Sequence, residues 1–238
     1  GSSPLRLARY AALFENFPLD RMWRLTGVET VLTWRRELFV PSQLLAAFPQ
    51  ATDTTYLHRL TPAAAATAVN PRAWMVTQLH VAEDAAALTA LADHAIDLSK
   101  VAFLPPPSLT SNITLPVGDD TVMLAQRSPQ ALRVHLQSEM GGLLLISENW
   151  MPGWAVTDFR CLSTTPACTR TTSADELPLL TPLRADLTLI GIVVPPGEMT
   201  FTLRYQPRSV MLGLTISALA LLLLLLLLFW RWRRQVTR

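Results

Sequence analysis

The segment Ser147-Glu-Asn-Trp-Met-Pro-Gly-Trp154 holds the most chemically distinctive spacing in this chain: two indoles flank a Pro-Gly turn, beside an acid and an amide. It follows directly on the apolar run Leu143–Ile146. Indole faces stack on the C–H faces of pyranose rings, and a carboxylate and an amide bond sugar hydroxyls. Glu148, Asn149, Trp150 and Trp154 are therefore the candidate glycan-binding residues. The same residues have a structural use, in which Trp150 and Trp154 seal the end of a β-sandwich while Pro152-Gly153 makes the turn. Aromatic side chains next to β-turns usually pack, so the second reading is the commoner one.

Little else in the chain has the spacing of a reaction centre. There is no phosphate-binding glycine loop, no G-x-S-x-G elbow and no H-E-x-x-H zinc motif, so no catalytic residue is assigned. The four histidines, His58, His80, His94 and His135, fall on different expected elements. The acid pairs Glu83-Asp84, Asp119-Asp120 and Asp175-Glu176 read as a helix start, a turn and a polar loop. Asn112-Ile-Thr matches a glycosylation sequon by pattern. The two cysteines, Cys161 and Cys168, bracket Leu-Ser-Thr-Thr-Pro-Ala and form a candidate disulfide in an oxidising compartment. With no histidine nearby they do not read as a zinc site, and neither metal nor cofactor is expected.

The elements that would position these residues fall into two patterns. Before Pro105-Pro-Pro107, helical spacing over residues 5–27 leads to a strand at 28–34. A further strand over 71–81, a helix from Asp84 to about His94 and a strand at 96–104 then make a small α/β unit. Beyond the prolines the pattern is nearly all β. Leu132–Leu136 and Met199–Tyr205 alternate, Leu143–Ile146 and Leu187–Val194 are continuously apolar, and Pro195-Pro-Gly197 makes a turn. The expected fold is α+β, with a small α/β extracytoplasmic subdomain over 1–104 and an antiparallel, jelly-roll-like β-sandwich over 110–207.

The sandwich is followed by Val210–Trp230, an almost unbroken apolar run with eight leucines in succession from Leu221 to Leu228. About 20 such residues suffice to cross a bilayer, so a transmembrane helix is expected over 208–230, with a basic cytoplasmic tail over 231–238. Arg231, Arg233, Arg234 and Arg238 place that tail inside and residues 1–209 outside. Of the 238 residues, 20 are basic and 18 acidic, and the tail arginines carry the excess. The remainder is slightly acidic, which excludes nucleic acid as a partner and leaves the lipid bilayer. A domain outside the membrane needs a translocation signal, and Gly-Ser-Ser-Pro-Leu-Arg supplies none. The expectation is therefore a C-terminal piece of a larger protein, with an upstream membrane domain as its partner.

The order of these motifs resembles a known family. Pro71-Arg-Ala-Trp-Met-Val, the acid-started Ala/Leu helix, the Leu143–Trp154 block, the Val194–Pro207 arm and the closing apolar run are similar to the C-terminal part of bacterial YfhO-family membrane proteins, over about residues 20–230. The resemblance implies a multi-span, GT-C-type glycosyltransferase of the bacterial cytoplasmic membrane, acting on polyprenyl-linked sugar or an envelope glycan. Its catalytic acid would lie upstream, so this segment would position acceptor or donor without doing chemistry. After Trp154, the family's short hairpin is replaced by a longer loop, Thr157–Thr181, holding both cysteines. The alternative is a single-pass, membrane-anchored binding or scaffold protein with no enzymatic activity.

Overall fold

The computed structural model describes residues 17–61, 70–108, 111–163, 168 and 177–236, together with Ala11 and Glu15. Leu7, Tyr10, Leu13, Phe14, the alanine run 63–66 and the pair Asp175-Glu176 lie outside the described residues.

At the centre of the molecule lies a four-stranded antiparallel sheet. It is built from β4 (Ala73–Val76), β10 (Gly142–Asn149), β12 (Pro182–Ala185) and β13 (Leu189–Val194), in the order β12-β13-β10-β4. Every residue of β13 is buried, and so are the first five of β10. A strand covered on both faces has no polar side to show, so it reads as a continuous apolar run. The two faces feed two cores. Leu143, Leu145, Leu189 and Val193 point one way, while Leu144, Ile146, Ile190, Ile192 and Val194 point the other.

The second of these cores closes against another antiparallel sheet. Its strands are β8 (Asp120–Ser128), β9 (Ala131–Ser138), β11 (Trp154–Cys161) and β14 (Gly197–Tyr205), in the order β11-β14-β9-β8. Leu132, Val134, Leu136, Met199, Phe201 and Leu203 supply its inner face. Alternation along β9 and β14 follows from having one face in the core and one in water.

The first core is closed by shorter elements. These are α1 (Leu19–Thr26), α2 (Asp84–Ala92), and β5 (Gln78–Val81), β6 (Val101–Leu104) and β7 (Ile113–Thr114) in the order β6-β5-β7. β5 and β6 are parallel and α2 lies between them in sequence. Glu83 is the N-cap of α2, and Asp84 in its first turn pairs with Arg184 at 2.6 Å. A separate three-stranded sheet, β1 (Thr30–Thr33), β2 (Ser42–Pro49) and β3 (Thr54–Leu60), has the order β1-β3-β2.

The fold departs from the expected α+β ectodomain. Among the described residues the chain is mostly β, with four sheets and three helices. Within the pattern expected over 5–27, Ala11 and Glu15 are helical, and α1 begins at Leu19 with Pro18 as its N-cap. The strand expected over 71–81 is in fact two, divided at Thr77. Its first half joins β10 in the central sheet, and its second joins β6 across the first core. The turn is held by Lys100, whose carbonyl accepts from the amides of both Thr77 and Gln78 at 2.9 Å. β4, which precedes the prolines at 105–107, is thus hydrogen-bonded to β10, which follows them.

The expected transmembrane helix also needs correction: among the described residues, no helix is long and apolar enough to cross a membrane. The backbone of α3 is helical over Arg208–Val236.

Candidate functional site

The Ser147–Trp154 segment forms the corner between β10 and β11. It begins with an irregularity in the ladder, since the pairing of β10 with β13 shifts register between Ile146 and Asn149. The shift lets β10 turn away from the sheet. Glu148, Asn149 and Trp154 have side-chain partners within the protein. Glu148 pairs with Arg72 at 3.1 Å. The Asn149 side-chain oxygen accepts from the Thr188 hydroxyl, and its backbone carbonyl accepts from the Trp154 indole N–H at 3.1 Å. The Trp150 amide donates to the Thr188 carbonyl. Both indoles are half-buried and pack on the second core. Trp154 also lies against Tyr205, with ring centroids 5.2 Å apart.

The turn itself is set by what lies behind it. Gly153 has φ +117°, and a Cβ there would come within 2.8 Å of the Pro207 Cα. The Gly153 carbonyl accepts from the Gln206 amide at 2.7 Å. Pro207 immediately precedes α3, so this corner braces the point where the apolar helix leaves the sandwich. Both rings thus pack at the end of the sandwich, and the Trp154 indole N–H is turned to the fold.

Beyond β11, Cys161 and Cys168 form a disulfide with Cα atoms 6.0 Å apart. The adjoining chain is fastened to β14: the Leu162 amide donates to the Glu198 carbonyl at 2.8 Å, and the Ser163 hydroxyl accepts from the Glu198 amide at 2.7 Å. Cross-linking so short a loop removes little chain entropy, so a Cys161→Ala/Cys168→Ala variant should lose about 2 kcal/mol in urea unfolding. Unchanged stability would mean that the ladder alone holds this end.

The other expected positions stay apart. His58 is buried and its Nε2 lies 3.0 Å from the Arg35 carbonyl. His94 meets Asp20 at 2.9 Å, and His135 meets Glu198 at 3.3 Å. His80 sits edge-on to Phe103, with centroids 5.5 Å apart. Among the described residues, no group of three His, Cys, Asp or Glu could hold a metal ion. The Asn112 side chain accepts from the Val81 amide at 2.9 Å. Burial pushes the Asp120 carboxyl up; the Ser138 hydrogen bond opposes this, and Asp119 and Glu139 add to it.

Two ionisable side chains that sequence reasoning passed over are both buried and perturbed. Asp186 lies in the turn between β12 and β13 with φ +44°. It is wholly buried, and burial pushes its carboxyl up to about 7 even though the Phe103 amide donates to Oδ1 at 2.7 Å. Its Oδ2 has no hydrogen-bond partner. Arg21, on α1, is 3 % exposed. Desolvation and the neighbouring charge of Arg24 hold its guanidinium below the ordinary arginine value.

No family model, curated protein or solved structure matches this chain. The functional reading rests on the geometry.

Proposed function

We propose that this chain is a non-catalytic module of a bacterial envelope membrane, held at a lipid bilayer through α3 and working on the outer side of that membrane. The observation that carries the reading is the state of α3 itself. Leu212, Leu214, Ile216, Leu219 and every leucine from Leu221 to Leu227 are more than half exposed. A helix that is apolar all round is not stable facing water, so α3 needs a cover, and the arginine-rich sequence behind it suits anionic headgroups. The brace formed by Gly153, Trp154, Tyr205 and Pro207 supports a module whose sandwich is fixed relative to its attachment. The disulfide between Cys161 and Cys168 suits an oxidising compartment.

The module belongs, in this reading, to a larger protein that transfers sugar from a lipid-linked donor, with this segment placing acceptor or donor. The support for sugar transfer is the motif order described above. The corner residues hold the module's shape, and glycan contacts would lie on other surfaces.

Vesicle flotation tests the membrane contact. The full chain should rise with vesicles of phosphatidylethanolamine and phosphatidylglycerol, and a Leu223→Arg/Leu224→Arg variant should remain at the bottom of the gradient. A wild-type chain that stays in the aqueous fraction without vesicle partners would overturn the reading.

A further inference from the structure

A cavity of about 450 Å³ opens between α1 and the chain at Phe39–Pro41 and Leu60–Thr61. That volume lies in the range of small-molecule sites. One part of its wall is apolar: Trp23 stacks on Phe39 with centroids 5.7 Å apart and planes 24° from parallel, and Val40 and Leu60 line the cavity beside them.

The other part is cationic and incompletely satisfied. Arg21 lines the cavity and is almost wholly buried. Its Nε donates to the Leu91 carbonyl at the end of α2, at 2.8 Å. Its Nη2 is buried and has no hydrogen-bond partner. A buried donor with nothing to donate to is costly, and the cost is greater when it carries charge. The nearby acids have other partners: Asp20, which also lines the cavity, meets His94 at 2.9 Å, Asp97 meets Arg24 at 2.9 Å, and Asp93 accepts from the Ala95 amide at 2.9 Å. The positive charge of Arg21 is thus left beside an apolar wall, with an open donor and room for a guest.

We propose that this cavity binds a small amphiphilic anion, an aryl or alkyl body bearing one carboxylate or phosphate. The Arg21 Nη2 donates to the anionic head and the body lies against Trp23 and Phe39. An anion there would fill the missing hydrogen bond and offset the desolvated charge together. Charge-assisted hydrogen bonds of this kind are the strong ones, and the aromatic wall excludes water from the pair. A neutral ligand of the same shape gains only the apolar contact.

Calorimetric titration of the full chain, kept in solution with amphipol, compares phenylacetate and phenyl phosphate with the neutral phenylacetamide. At least one anion should bind about 10-fold more tightly than the amide, as a charge-assisted bond predicts. The tighter of the two anions then names the head group. Phe39→Ala should weaken that anion several-fold while leaving the melting temperature unchanged, since Phe39 is two-thirds exposed. Arg21→Lys should erase the preference for anion over amide, and if that variant fails to fold, the Phe39→Ala titration still decides. Equal binding of acid and amide would reduce the cavity to an apolar cleft, and binding of neither anion would overturn the proposal.

Discussion

Trp154→Ala should destabilise the protein by about 2–4 kcal/mol in chemical unfolding, as expected for a large aromatic whose packing is lost. The indole sits on the second core, lies tilted against Tyr205 and donates to the Asn149 carbonyl. Removing it opens a cavity at the sandwich end and leaves that carbonyl without its donor. Trp154→Phe restores most of the packing but not the hydrogen bond, so its loss should be smaller, near 1–2 kcal/mol. Gly153→Ala should be costly for a different reason, since its Cβ would press on the Pro207 backbone. A sugar-stacking indole predicts another pattern: glycan binding lost on Trp154→Ala, with stability hardly changed. That outcome would return the corner to a binding role and remove the brace from the account of how α3 is attached.

What the sequence made legible follows burial symmetry. Leu143–Ile146 and Leu189–Val194 are covered on both faces, so their runs of apolar residues announce central strands. Leu132–Leu136 and the arm from Met199 alternate because one face meets the core. The edge strands were silent. β8 and β11 each pair on one side only, at the two ends of their sheet, and β11 is rich in half-exposed or exposed residues that carry no period. β2 is mostly exposed and likewise escaped notice. The break at Thr77 divides a continuously apolar half, Ala73–Val76, from an alternating one, Gln78–Val81; both patterns suit a strand, and only the partners separate them.

The corner was recognisable from its residue types, but its role depends on partners remote in sequence. Arg72 is 76 positions before Glu148, and Thr188 is 39 after Asn149. Neither periodicity nor local turn chemistry reports such pairings, so the sequence alone leaves the sugar-rim and sealing readings side by side. Arg21 and Asp186 were less visible still. An arginine in a short helix and an aspartate in a turn look solvated by default. Their burial is imposed by the first core closing over them.

Asp186→Asn should abolish a fall in stability that the wild type shows between about pH 4 and pH 7. The folded carboxyl titrates near 7 because it is wholly buried, whereas in the unfolded chain it titrates near the ordinary value of about 3.9. Below pH 4 both states hold the proton and the group contributes no pH dependence. As pH rises towards 7 the unfolded state releases its proton and the folded state keeps it, so unfolding becomes progressively easier. Above 7 both are ionised and the full cost remains, up to about 4 kcal/mol for a gap of roughly three pK units. Asparagine keeps an acceptor for the Phe103 amide and tolerates the positive φ, so the tie between β6 and the β12–β13 turn survives. Its amide nitrogen takes the place of the unpartnered Oδ2, a penalty that does not vary with pH. Urea unfolding at intervals from pH 4 to pH 8 should therefore show the variant gaining on the wild type as pH rises. Parallel curves for the two proteins would mean that the carboxylate finds water or a cation in the folded state, and that the turn is looser than its hydrogen bonds imply.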